Sequence, residues 1–141
     1  MRNLMMTLIL ACAVLLPGVA AAQAVEVRIS ISQQEMQVYR DGQQLYVWPV
    51  STAQSPKVTP KGSWTPQSLS KNHRSKLYGN APMPWSIFYS GNYAIHGTTS
   101  IKRLGRPASH GCVRLHPDNA KVLYRMVQAA GLSDTRVTVV E

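Results

Sequence analysis

Apolar and polar residues alternate without a break over residues 25–32, Val-Glu-Val-Arg-Ile-Ser-Ile-Ser. A period of two predicts a half-buried strand with Val25, Val27, Ile29 and Ile31 toward the core. Asp41-Gly42 separates a second strand-like run, residues 36–40, from a third, residues 43–51. Asp-Gly suits the positive φ that both central positions of a type I′ turn require, so the two runs read as a hairpin. Pro49 puts the returning strand at a sheet edge or at a bend. Over residues 52–84 the alternation is lost, while Pro56, Pro60, Gly62, Pro66, Gly79, Pro82 and Pro84 mark turns. A stretch of this kind in a small domain reads as a functional loop or lid. Strands resume at residues 85–90 and, after Gly91-Asn92, at residues 93–96; a second loop, 97–107, delivers residues 109–115. One helix is marked by Pro117 and Asp118 at its start, an apolar face of Val122, Leu123, Met126, Val127 and Ala130, and a stop at Gly131. Residues 135–140 close the chain as a β-branched strand. The expected fold is mainly β, about six or more strands with one main helix packed on them.

The first 24 residues stand apart from that pattern. Arg2 precedes an apolar stretch over residues 4–16, Pro17-Gly18 breaks it, and Ala22-Gln23-Ala24 offers a small-x-small cleavage site. This order is that of a secretory signal peptide, too short to read as a membrane span, with cleavage expected after Ala24 or Ala22. Leu10-Ala11-Cys12 loosely resembles a lipoprotein site, but the apolar run continues past it. Of 141 residues the mature part keeps 117, enough for one domain, 25–141, and its formal charge falls from +9 to +8. Scattered positive charge suits anionic surroundings, and export makes nucleic acid the least suitable of them. Cleavage also removes Cys12, so Cys112 is carried alone into a compartment where thiols oxidise readily. A single thiol there is either an inert buried hydrophobe, a partner for another chain or a working group.

The neighbours of Cys112 favour work. Ile95-His96-Gly97-Thr98 ends one strand-like run, and Ala108-Ser109-His110-Gly111-Cys112-Val113-Arg114-Leu115 opens another. A thiol attacks carbonyls as thiolate and needs a base, and adjacent strands would bring His96, 16 positions upstream, within reach of Cys112. Gly111 permits a sharp turn, and its N–H with that of Cys112 could face an oxyanion. Arg114 is the best carboxylate anchor, with a salt bridge or loop clamp as the plainer role. His110 and Ser109 suit bracing of the turn, with substrate contact as the alternative. Tyr78, Met83 and Trp85 are candidates either to line a cleft or to pin the loop to the core.

Ser-His-Gly-Cys-Val-Arg-Leu with the upstream Ile-His-Gly-Thr closely resembles the signature of L,D-transpeptidase (YkuD-type) catalytic domains. Thr59-Pro60-Lys61-Gly62, Asn72-His73, Met83-Pro84 and the N-terminal hairpin extend the likeness over the whole mature chain. The resemblance implies a sandwich or closed barrel. It also implies that Cys112 attacks the third residue of a peptidoglycan tetrapeptide stem, usually diaminopimelate, and expels D-Ala. His96 would be its base, ionising the sulfur and oriented by the Gly97 carbonyl; consistent with this, no acidic residue lies between Asp41 and Asp118. The acceptor would be a second stem, an outer-membrane protein or lipoprotein, or water. The same resemblance implies carbapenem acylation, no cofactor and a periplasmic setting, and a monomer is expected.

Two rivals remain at this level. His96, His110, Cys112 and His116 could ligate zinc, although ligand pairs at repeated short spacing are absent from the sequence. A non-catalytic wall-binding module fits the size and charge but leaves a lone thiol in a Gly-Cys turn unexplained.

Overall fold

A computed structural model describes residues 24–141; Cys12 and all of the expected signal peptide but its last residue, Ala24, lie outside the described residues. Among these, nine strands and one α-helix occur. They are β1 Val25–Ser30, β2 Glu35–Arg40, β3 Gln43–Pro49, β4 Gly62–Trp64, β5 Ser68–Arg74, β6 Pro82–Ser90, β7 Tyr93–Gly97, β8 Val113–Leu115, β9 Thr135–Val140 and α1 Pro117–Ala130. The strands form two sheets, in the orders β3-β2-β1-β9-β4 and β5-β6-β7-β8. The chain is mainly β with one helix, as its alternation predicts.

Each local rule leaves its mark. Val25, Val27 and Ile29 are buried while the residues between them face outward. Ile31 is only partly buried, because the strand ends at Ser30 and Ile31 enters a tight turn. Asp41 and Gly42 have φ of 49° and 78°, as the hairpin requires. Pro49 lies on β3, an edge strand bonded only to β2, where its missing N–H costs no ladder bond. Trp64 on β4 packs against Tyr89 on β6 at 5.2 Å between ring centroids, joining the two sheets.

Residues 52–84 are the main correction. β4, β5 and the start of β6 lie inside the expected loop. β5 is an edge strand with a polar sequence, Ser-Leu-Ser-Lys-Asn-His-Arg, so backbone pairing with β6 makes it a strand without any apolar alternation. Pro82 and Pro84 pair with Arg74 and Asn72 on β5, whereas the pairing with β7 runs from Ile87 onward. The prolines therefore occupy a stretch whose other side needs no N–H donor.

The helix is capped by His116, whose Nδ1 accepts a hydrogen bond from the Asp118 N–H at 3.1 Å, and Pro117 opens it. At its end the Gly131 N–H bonds Val127 O at 2.8 Å with Gly131 at φ 93°. It packs on β6 and β7 through Ala120, Leu123, Tyr124, Met126, Val127 and Ala130. Val122 does not join that face and is 37% exposed, since it falls one step off the i, i+3, i+4 stripe. Leu123→Ala is therefore expected to cost about 2–5 kcal/mol in a denaturant titration, from lost burial plus the cavity left behind. Val122→Ala should stay within about 0.5 kcal/mol of the parent.

Candidate active site

β7 and β8 run parallel, with Ile95 opposite Val113, His96 opposite Arg114 and Gly97 opposite Leu115. Paired residues in a parallel ladder share a face, and so do residues two apart on one strand. His96, Arg114 and Cys112, the residue just ahead of β8, thus project from the same side. All three line one cavity of about 650 Å³, whose walls include Tyr78, Met83, Asn92, Tyr93, Ser109 and His110.

His96 is 6% exposed, and its Nδ1 makes a 2.7 Å hydrogen bond with the Gly97 carbonyl. A carbonyl accepts only, so Nδ1 carries the proton and the neutral ring keeps its lone pair on Nε2. Burial pushes the imidazole pKa down to about 4; the Gly97 bond opposes this, and the charges of Arg114 and His73 add to it. Gly97 can lie this close to its surroundings because it has no side chain. A Cβ there would sit 3.0 Å from the Cα of Pro117 and 3.1 Å from Cγ of Pro84.

The Cys112 thiol is half-buried and donates a long contact to Asn92 O at 3.7 Å. Burial pushes its pKa up, opposed by a backbone hydrogen bond with Ala94 and by the Arg114 charge. Burial thus works against charge on either side chain, the imidazole and the thiol alike.

The turn before the sulfur is braced from two sides. Ser109 Oγ accepts from the Gly111 N–H at 3.1 Å and donates to Cys112 O at 2.6 Å. Ser109 thus has the bracing role its position suggests. The same bond corrects the reading of Gly111: its N–H is committed to Ser109 and is not open to an oxyanion. The Cys112 N–H makes none of the backbone hydrogen bonds of the surrounding turns. Gly111 matters instead for its shape. Its φ is 143°, and a Cβ would lie 2.7 Å from Cε1 of Tyr93.

Arg114 donates from Nη1 to Ala108 O at 3.2 Å while lining the cavity, so it clamps the loop and offers its remaining donors inward. Burial lowers its pKa from the ordinary guanidinium value, the Cys112 charge opposes this, and Arg103 adds to it. His110 is exposed and stacks on Tyr78 at 4.3 Å and 12°, linking the segment between β5 and β6 to the turn that carries Cys112. Met83 is buried in the cavity wall. Trp85 is not brought there. Its φ of 58° breaks the strand alternation, and its ring packs on Tyr124 of α1, with Lys71 and Lys121 at 5.2 and 5.7 Å. Among the described residues, no group of three His, Cys, Asp or Glu side chains converges, and His116 is occupied as the helix cap.

A model of the YkuD L,D-transpeptidase catalytic domain matches residues 24–139. The chain belongs to that family. It is 23% identical over 105 residues to the L,D-transpeptidase family protein YkuD of Bacillus licheniformis, covering 73% of this chain and 61% of that one. An L,D-transpeptidase from Mycobacterium tuberculosis H37Rv superposes with a TM-score of 0.75 at 25% identity, covering 84% of this chain and 58% of that one. An L,D-transpeptidase solved in complex with imipenem has the same fold, with a TM-score of 0.74 at 23% identity over 84% of this chain and 59% of that one. The chain thus spans about three-fifths of the length of these relatives.

Asn92 and Tyr93 were not legible as site residues. Asn92 acts through a backbone carbonyl, which leaves no side-chain signature, and Tyr93 through the fit of its ring against Gly111.

Two pH effects follow. His96 has a folded pKa below its unfolded value of 6.5, so the unfolded chain takes up its proton first as pH falls. The drop to about 4 corresponds to roughly 3 kcal/mol of stability, complete above pH 6.5 and lost progressively toward pH 4. Denaturation of the parent and of His96→Gln across that window measures it; parallel curves would remove His96 as the cause. Second, alkylation of Cys112 by iodoacetamide should accelerate steadily into alkaline pH, because the thiol pKa is raised. A rate plateau below pH 6 would contradict the raised thiol pKa.

Proposed function

We propose that this chain catalyses acyl transfer on peptidoglycan stems through a thioester at Cys112. The observation that carries the reading is His96, its Nδ1 held by the Gly97 carbonyl at 2.7 Å, lining the same cavity as Cys112. Sγ attacks the carbonyl of the third stem residue, usually diaminopimelate, as its proton passes to Nε2 of His96. The tetrahedral oxyanion collapses, the C–N bond to the terminal D-Ala breaks, and the imidazolium returns the proton to the leaving amine. An amine acceptor then attacks the thioester, gives its proton to His96 and leaves an amide crosslink, while the thiol is restored. Because both groups start neutral, charge develops only during the attack, where Arg114 and the Cys112 N–H stabilise it.

Arg114 also supports binding. It shares with Cys112 a cavity lined by no acidic residue, which suits stem carboxylates. Tyr78 and Met83 form walls against which the stem would lie. One acceptor is a second stem. Transfer to an outer-membrane protein or lipoprotein, or to water, uses the same acyl-enzyme and differs only in what reaches the thioester. Residues 1–24 support export to the periplasm, where such stems are met, and no described helix is long and apolar enough to cross a membrane.

Purified tetrapeptide muropeptides with mass-spectrometric product analysis test the proposal. The parent should release D-Ala and form crosslinked dimers, whereas Cys112→Ala should form none and His96→Ala should fall by about a thousand-fold or more. Products from Cys112→Ala would remove the mechanism. Imipenem should add its mass to the parent at Cys112 and leave Cys112→Ala unmodified.

A further inference from the structure

Thr59 is 3% exposed and lies 52 residues ahead of Gly111, yet its hydroxyl touches the catalytic turn. Oγ1 donates to Gly111 O at 2.8 Å and accepts from the Ala53 N–H at 3.0 Å. The second bond ties Thr59 to a segment that is itself pinned to the turn, since the Gln54 N–H bonds Ser109 O at 2.9 Å. Both hydrogen-bonding directions of one buried hydroxyl are thus used, which fixes its rotamer and sets where its proton points.

The carbonyl it holds belongs to the peptide that joins Gly111 to Cys112. A trans peptide is planar and directs its C=O and N–H to opposite sides. Holding Gly111 O against buried Thr59 therefore turns the Cys112 N–H away from Thr59. Gly111 and Cys112 both line the cavity, and the neighbouring Gly111 N–H is already taken by Ser109. At φ 143° Gly111 is a flexible joint, and no side chain of its own holds this plane in place.

We infer that Thr59 is a positioning residue that aims the Cys112 N–H at the oxyanion by clamping the Gly111 carbonyl. The inference rests on the proposed acylation of Cys112. Thr59 touches no substrate atom; it acts through one peptide plane. Ser109 holds the turn from one side and Thr59 from the other, so the plane has no free rotation at the moment charge develops.

The test compares two reactions of the same sulfur. Imipenem acylation passes through an oxyanion, whereas iodoacetamide alkylation is a displacement that forms none. Thr59→Val, near-isosteric but without the hydroxyl, should lower the acylation-to-alkylation rate ratio by about ten-fold or more, part of the loss seen when an oxyanion donor is removed outright. Thr59→Ser, which keeps the hydroxyl, should restore the ratio. An unchanged ratio in folded Thr59→Val, or a loss that Thr59→Ser fails to restore, would overturn the assignment. Should Thr59→Val not fold, amide hydrogen exchange on the parent decides. The Cys112 amide is expected to exchange freely while that of Gly111 is protected, and a protected Cys112 amide would overturn the assignment. Failure of the parent itself to be acylated would instead count against the proposed function.

Discussion

Parallel pairing of β7 with β8 is the constraint on which the site depends. The pairing sets His96 beside Arg114 in register and leaves Cys112 just ahead of the ladder on the same face. A slip of one residue would turn one strand's side chains to the opposite face and separate His96 from Cys112. The register is held by what lies under it. Ile95, Val113 and Leu115 are fully buried, and α1 packs on β6 and β7. Core packing and chemistry are thus two faces of the same strands.

On that frame, backbone carbonyls contact both side chains of the proposed catalytic pair. The Gly97 carbonyl fixes the tautomer of His96, and the Asn92 carbonyl accepts a long contact from the Cys112 thiol. A carbonyl orients an imidazole without placing a full negative charge beside it. Together with burial, this leaves His96 with a pKa of about 4. On the proposed mechanism the site stores no ion pair at rest, and reactivity arises when a carbonyl substrate enters and the developing oxyanion gives the thiol proton a reason to move.

Much of this was legible in the chain, for identifiable reasons. The alternation at residues 25–30, the Asp41-Gly42 turn and the helix from Pro117 to Gly131 each follow from a local rule that tertiary contacts reinforced. The roles of His96 and Gly97 came with the resemblance, and the contact expected between them is present at 2.7 Å. β5 escaped because an edge strand can be specified by its ladder alone, with Leu69 the one apolar residue in it. Trp85 misled because a left-handed backbone turned a large aromatic toward α1. The commitment of Gly111 N–H to Ser109, and the reach of Thr59 across 52 positions, depend on three-dimensional closeness that spacing does not encode.

The central claim is that His96 rests neutral, protonated on Nδ1, with its Nε2 unprotonated in the cavity that Cys112 also lines. Nitrogen-15 NMR of the His96 ring in the resting protein reads this directly. At pH 6 to 7 the account predicts a protonated Nδ1 and an unprotonated Nε2, with the second proton added only near pH 4. An imidazolium at pH 7, or the proton on Nε2, would contradict it.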